Sequence, residues 1–99
     1  MAATHTTVPI TTTYTQLNSA AAAGGVSVYP IDCSIWLTVA ATTSVPTNDL
    51  GAIKLSQGST GAAIINQTLA TLFPGATSPA YLFARVDGIS GGNVAVSCA

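Results

Sequence analysis

The sequence predicts a small all-β domain, an antiparallel β-sandwich or barrel of six to seven short strands. Three observations lead there. Short stretches in which apolar and polar residues alternate recur along the chain, Ala80–Val86 and Asn93–Cys98 most clearly. Clusters of Gly, Pro, Asn, Asp and Ser separate these stretches about every 8–15 residues. The length, 99 residues, is that of one domain, and no repeat or shift in composition divides it, so residues 1–99 read as a single β domain.

Taken in order, residues 1–8 read as an N-terminal arm, free or ordered by a partner. Thr4, Thr6 and Thr7 have β propensity, but nothing apolar anchors them before Val8. Pro9 marks an edge or bend. Thr11–Leu17 (TTTYTQL), β-branched and aromatic, is the first expected strand, and Asn18–Gly25 a turn. Val26–Ile31 is the second strand; Pro30 cannot donate to a ladder and makes that end an edge or a kink. Ile35–Ala41 is the strongest strand signal, with Ile35, Leu37 and Val39 facing the core and Trp36 and Thr38 turned away.

The long turn Thr42–Gly51 carries Pro46, Asn48, Asp49 and Gly51. Ala52–Ser56 is a short strand with Ile53 and Leu55 inward and Lys54 outward, followed by a turn at Gln57–Gly61. Ala62–Ile65 reads as a strand and Thr68–Phe73 as a short helix or turn. The chain ends in what looks like a hairpin: Ala80, Leu82, Ala84 and Val86 on one face, Tyr81, Phe83 and Arg85 on the other, a Gly-rich turn, then Val94, Val96 and Cys98 on one face.

Charged residues are 5% of the chain and hydrophobic residues 48%. Ordinary soluble domains carry roughly 25% charge, so Thr, Ser, Ala and Gly stand where charge is usual. Such a surface loses water at little cost and repels its own copies weakly, which suits a subunit packed against neighbours. Lys54 and Arg85 are the only Lys and Arg, too few to bind a phosphate backbone, so no nucleic-acid partner is expected. No run approaches the ~20 apolar residues of a membrane span. The N-terminus lacks the basic and apolar regions of a secretory leader, so synthesis in the cytoplasm is expected. Cys33 and Cys98 then read as free thiols more readily than as a disulfide, and the sequence leaves their pairing open.

A search for catalytic chemistry finds little. His5 is the only histidine and Glu is absent, so neither a metal cluster nor a Ser-His-Asp arrangement is visible, and no cofactor is expected. Asp32, Asp49 and Asp87 all fall in turns, where Asp commonly bonds nearby backbone. The residues left for recognition are Trp36, Tyr81, Phe83 and Arg85. Trp36 suits a sandwich edge, a subunit contact or a second small core layer. Arg85 could stack on a ring or pair with Asp32 or Asp87, or simply lay its stem over apolar surface. Trp36, Tyr29 and Tyr81 also suit a sugar-binding or adhesin-like module.

Several stretches together resemble the small β-rich virion proteins of tailed bacteriophages. They are TTTYTQL, the apolar strand and turn CSIWLTVAATTSVPTND, GAIKLSQGS, and YLFARVDGISGGNVAVS with its aromatic-x-aromatic-Ala-Arg strand and Val-alternating end. The resemblance implies a non-enzymatic structural protein, most like a capsid decoration (cement) protein on the outer surface of the head. It implies the major capsid protein or other virion proteins as partners, and a homo-oligomer, a trimer above all. A tail, neck or fibre-base component is the neighbouring expectation.

Overall fold

The computed structural model describes residues 4–22, 24–49, 51–55, 64–88 and 91–98. The elements in chain order are β1 (Thr4–Ile10), β2 (Thr15–Gln16), β3 (Val26–Pro30), β4 (Ile35–Ala40), β5 (Ile53–Leu55), β6 (Ile64–Gln67), α1 (Leu69–Leu72), β7 (Tyr81–Val86) and β8 (Gly92–Cys98). The strands form two four-stranded antiparallel sheets, β1-β8-β3-β6 and β2-β7-β4-β5, packed face to face as a sandwich.

The aliphatic rows build the core as the alternation requires. Val26 and Val28 of β3, Val94, Val96 and Cys98 of β8, and Ile10 of β1 point inward from the first sheet. Ile35 and Leu37 of β4 and Leu82, Ala84 and Val86 of β7 meet them from the second. The helix closes one side. Thr68 caps it by accepting the Thr71 amide, and Leu69 and Phe73 turn into the core.

Four expectations need correction. The N-terminal arm is largely a strand: residues 4–10 pair with β8 along an unbroken register, because Val8 packs on the core and Ile10, 2% exposed, anchors the strand from its far end. Met1–Ala3 lie outside the described residues. The strand expected over Thr11–Leu17 shrinks to Thr15–Gln16, because residues 11–14 carry the chain from one sheet to the other. The expected final hairpin is an arch: β7 belongs to the second sheet and β8 to the first. Its two aliphatic rows face each other across the core instead of lying side by side, and alternation alone is the same in both arrangements. The strand expected at Ala62–Ile65 is described over Ile64–Gln67, with Ala62 and Ala63, the turn Gln57–Gly61 and Ser56 outside the described residues.

Pro30 ends β3 where β6 no longer runs beside it, since β6 pairs only with Val26 and Val28. The register of that pair shifts between Val26 and Val28, and Asn66 takes a left-handed φ of 49° opposite the shift.

Both cysteines are free and buried. Gly92 packs so closely on Cys33 that a Cβ there would lie 2.3 Å from the thiol sulfur. Cys33 therefore sits at the start of β8 and Cys98 at its end. Six residues of strand separate those positions by roughly 20 Å, far beyond disulfide reach.

Candidate functional site

The outer face of the second sheet gathers four of the five charged residues. Register sets them in a row. Arg85 of β7 lies opposite Trp36 of β4, and Trp36 lies opposite Lys54 of β5. Tyr14, just ahead of β2, flanks the other side of Arg85, whose guanidinium carbon is 5.9 Å from the Tyr14 ring centre and 5.8 Å from that of Trp36. The Lys54 ammonium is 6.0 Å from the Trp36 ring centre. The row thus alternates aromatic and cation, and each ring lies near at least one positive charge.

A carboxylate closes each end. At one end Asp49 takes a two-pronged contact from Arg85, Nε to Oδ1 at 2.8 Å and Nη2 to Oδ2, and accepts the Tyr14 hydroxyl at 2.6 Å. At the other, Asp87 accepts Trp36 Nε1 at 3.2 Å and pairs with Lys54 at 2.8 Å. Arg85, with its bidentate partner, holds the Asp49 carboxyl down to about 2, and Tyr14 adds to this. Burial, then the Asp49 hydrogen bond, pushes the Tyr14 hydroxyl up to about 12. Lys54 and then Trp36 hold Asp87 below the usual carboxylate range. A carboxylate so satisfied is a weak base and a hydroxyl so shifted is a weak acid. The row binds its own parts together and carries no acid–base pair suited to catalysis.

The residues singled out from the sequence divide as follows. Trp36 and Arg85 belong to this row. Tyr81 and Phe83 share its strand and its face. Phe83, opposite Thr38, is 0% exposed and leaves no surface for a partner. Arg85 both lies against rings and pairs with a carboxylate, and that carboxylate is Asp49 rather than Asp32 or Asp87. Asp32 instead accepts the Asn93 amide at 2.7 Å and the Asn93 side chain at 3.1 Å. Tyr14 and Asp49 are the functional-looking residues that the sequence did not mark. Asp49 read only as a turn residue, and nothing local tells that its loop folds back on Arg85.

The outer face of the first sheet is the opposite in character. Its strands read THTTVPI, GNVAVSC, VSVYP and IINQ, with no Lys, Arg, Asp or Glu. A shallow depression there is lined by His5, Thr7, Ser27, Tyr29, Ile65 and Ser97 among others. Tyr29 is 42% exposed and Ile65 66%. His5 Nδ1 lies 3.2 Å from Ser97 Oγ, and among the described residues no carboxylate is bonded to the ring. Among the described residues no cluster of three or more His, Cys, Asp or Glu could hold a metal ion. Tyr29 lies on this sheet while Trp36 and Tyr81 lie on the other, so the three aromatics do not form one platform.

The chain matches no protein-family model, no curated protein sequence and no solved structure.

Proposed function

We propose that this protein is a non-enzymatic structural subunit of a virion, one that decorates and stabilises the outside of a tailed-phage capsid by bridging neighbouring capsomers. The observation that carries the reading is the partition of charge between the two outer faces. Lys54, Arg85, Asp49 and Asp87 neutralise one another on the second sheet, and the strands of the first carry no formal charge. A face of Thr, Ser, Ala, Tyr and Ile docks on another protein without stripping water from ions. Copies joined in a homo-oligomer, each held by modest neutral contacts, gain avidity because one attachment makes the next intramolecular. The paired, pKa-shifted groups of the second sheet support a structural role over an enzymatic one. The separation of Tyr29 from Trp36 and Tyr81 speaks against the sugar-binding alternative, which needs its rings on one platform.

Co-sedimentation of the purified protein with assembled capsid shells tests the reading. Binding at a fixed ratio to the major capsid protein is expected, together with the protein's peptides in mass spectra of whole virions. Its absence from virions, with no binding to shells, overturns it.

A further inference from the structure

Each sheet has two edge strands, and three of the four are blunted. β2 is two residues long, β5 is three and carries Lys54, and β6 is four with a register shift and the left-handed Asn66. Short length, charge and irregularity are the devices that keep a sheet edge from pairing with another chain. β1 is neither short, charged nor irregular, and its one blunting feature is Pro9, whose missing amide removes a single donor near one end of the edge. It runs seven residues, THTTVPI, in unbroken register and without charge. Among the described residues no strand lies on its outer side.

The backbone groups on that edge can be identified. The Asn93 amide donates to Asp32 and its carbonyl accepts the Ile31 amide at 3.0 Å, so Asn93 turns its backbone toward β3. Asn93 pairs with Pro9 across the β1–β8 ladder, and that pair is therefore a non-hydrogen-bonded one. By alternation, Thr4, Thr6 and Val8 bond to β8, while His5, Thr7 and Pro9 direct their backbones to the free edge. The edge offers the amides of His5 and Thr7 and the carbonyls of His5, Thr7 and Pro9. Among the described residues the Thr7 carbonyl has only a long contact, 3.5 Å, from the neighbouring Thr6 hydroxyl. Proline, which lacks an amide, stands where no donor to β8 is lost.

We propose that the free edge of β1 pairs antiparallel with β1 of a second copy of this chain, joining two sandwiches through one continuous eight-stranded sheet. The edge is complementary to itself. With the twofold axis at Thr7, each Thr7 amide meets the other copy's Thr7 carbonyl, and each His5 amide meets the other copy's Pro9 carbonyl. All four outward amides are then bonded. The strand carries no charge to repel its copy, and threonine beside threonine is a favourable cross-strand neighbour. The pairing closes on itself: it consumes both β1 edges and leaves only the blunted β6 edges outside, so assembly stops at two. It sets the order at two where the family resemblance implies three. The inference stands apart from the virion reading, since its test uses the purified chain alone.

Sedimentation equilibrium of the full chain is expected to give twice the monomer mass of 9.8 kDa, dissociating on dilution. Residue-resolved amide exchange supplies the second readout. Thr6 and Val8 should be protected at every concentration, His5 and Thr7 only where the dimer forms. Thr7→Pro deletes one outward amide per chain without touching the β8 ladder. It should weaken dimerisation by on the order of tenfold or more. Thr7→Lys keeps every backbone bond and sets like charges together at the axis, so it tests the same seam if the proline variant fails to fold. Chains that stay monomeric at all concentrations overturn the proposal, as does a dimer or trimer that survives both substitutions, or one in which His5 and Thr7 exchange freely.

Discussion

The carboxylate of Asp49 and the guanidinium of Arg85, 36 residues apart in sequence, meet through two side-by-side hydrogen bonds on the outer face of the second sheet. The contact pins the long loop after β4 against β7, and Tyr14 completes it. Asp49 thus ties the loop to the sheet by its side chain, while its carbonyl accepts the Ala52 amide at 3.0 Å within the loop.

The contribution of this contact should fade in acid. The folded-state pKa of Asp49, about 2, lies below the ordinary carboxylate value of about 3.9. The contact therefore contributes stability above about pH 4, and the contribution disappears as the pH falls toward 2. Asp49→Asn should lower the thermal midpoint at neutral pH and close the gap to wild type as the solution is acidified. A gap independent of pH contradicts the assignment.

Tyr14 gives the alkaline counterpart. Its hydroxyl titrates near 12, against about 10 for free tyrosine, so its protonated form is favoured by folding. The stability it adds is complete below pH 10 and is lost as the pH rises toward 12. Subtracting the tyrosinate absorbance curve of Tyr14→Phe from that of wild type isolates this one ring. Its midpoint should fall near 12, and one at or below 10 would contradict both the burial of the ring and its bond to Asp49.

Asn18 is the buried polar hinge of the fold. It is 1% exposed, accepts the Leu82 amide at 2.8 Å, and donates to the carbonyls of Ala20 at 2.7 Å and Ala80 at 3.0 Å. Asn18→Ala strands these groups and should cost about 3 kcal/mol in urea unfolding. Asn18→Asp keeps the acceptor, loses the donors and buries a charge, so its loss should shrink on acidification.

The contact between Gly92 and Cys33 leaves no room for a methyl group, as a Cβ at 92 would lie 2.8 Å from the Cys33 Cβ as well as against its sulfur. Gly92→Ala should destabilise by about 1–3 kcal/mol. Adding Cys33→Gly removes both obstructing atoms, and a double-mutant cycle should show favourable coupling. The same packing, with burial first and Asp32 second, pushes the Cys33 thiol pKa up, and burial does so for Cys98. Both thiols should resist alkylation in the native protein and react together on unfolding.

Much of this architecture was legible in single residues. The inward rows Ile35–Leu37, Leu82–Ala84–Val86 and Val94–Val96–Cys98 are where alternation places them, and the short helix begins at the threonine that caps it. Sheet membership was not legible. Each strand states which of its faces is apolar, and nothing in it states whether the next strand lies beside it or across the core; hence the arch read as a hairpin. The site was legible only by halves. Trp36 and Arg85 declared themselves as large residues on an outward face. Asp49 did not, because a turn aspartate looks the same whether it caps its own loop or reaches over a sheet. β1 was hidden for a related reason: its single deep anchor, Ile10, comes after Pro9, where the strand pattern looks broken.

The pairing of Lys54 with Asp87 and of Arg85 with Asp49 also shapes how the molecule behaves at a distance. Two short dipoles cancel most of what four ions would project, and the formal net charge of the chain is −1. Such a particle is neither drawn to nor turned away from a surface beyond a Debye length of about 8 Å at physiological salt. Its encounters are governed by diffusion and shape, and their rates should hardly change with ionic strength.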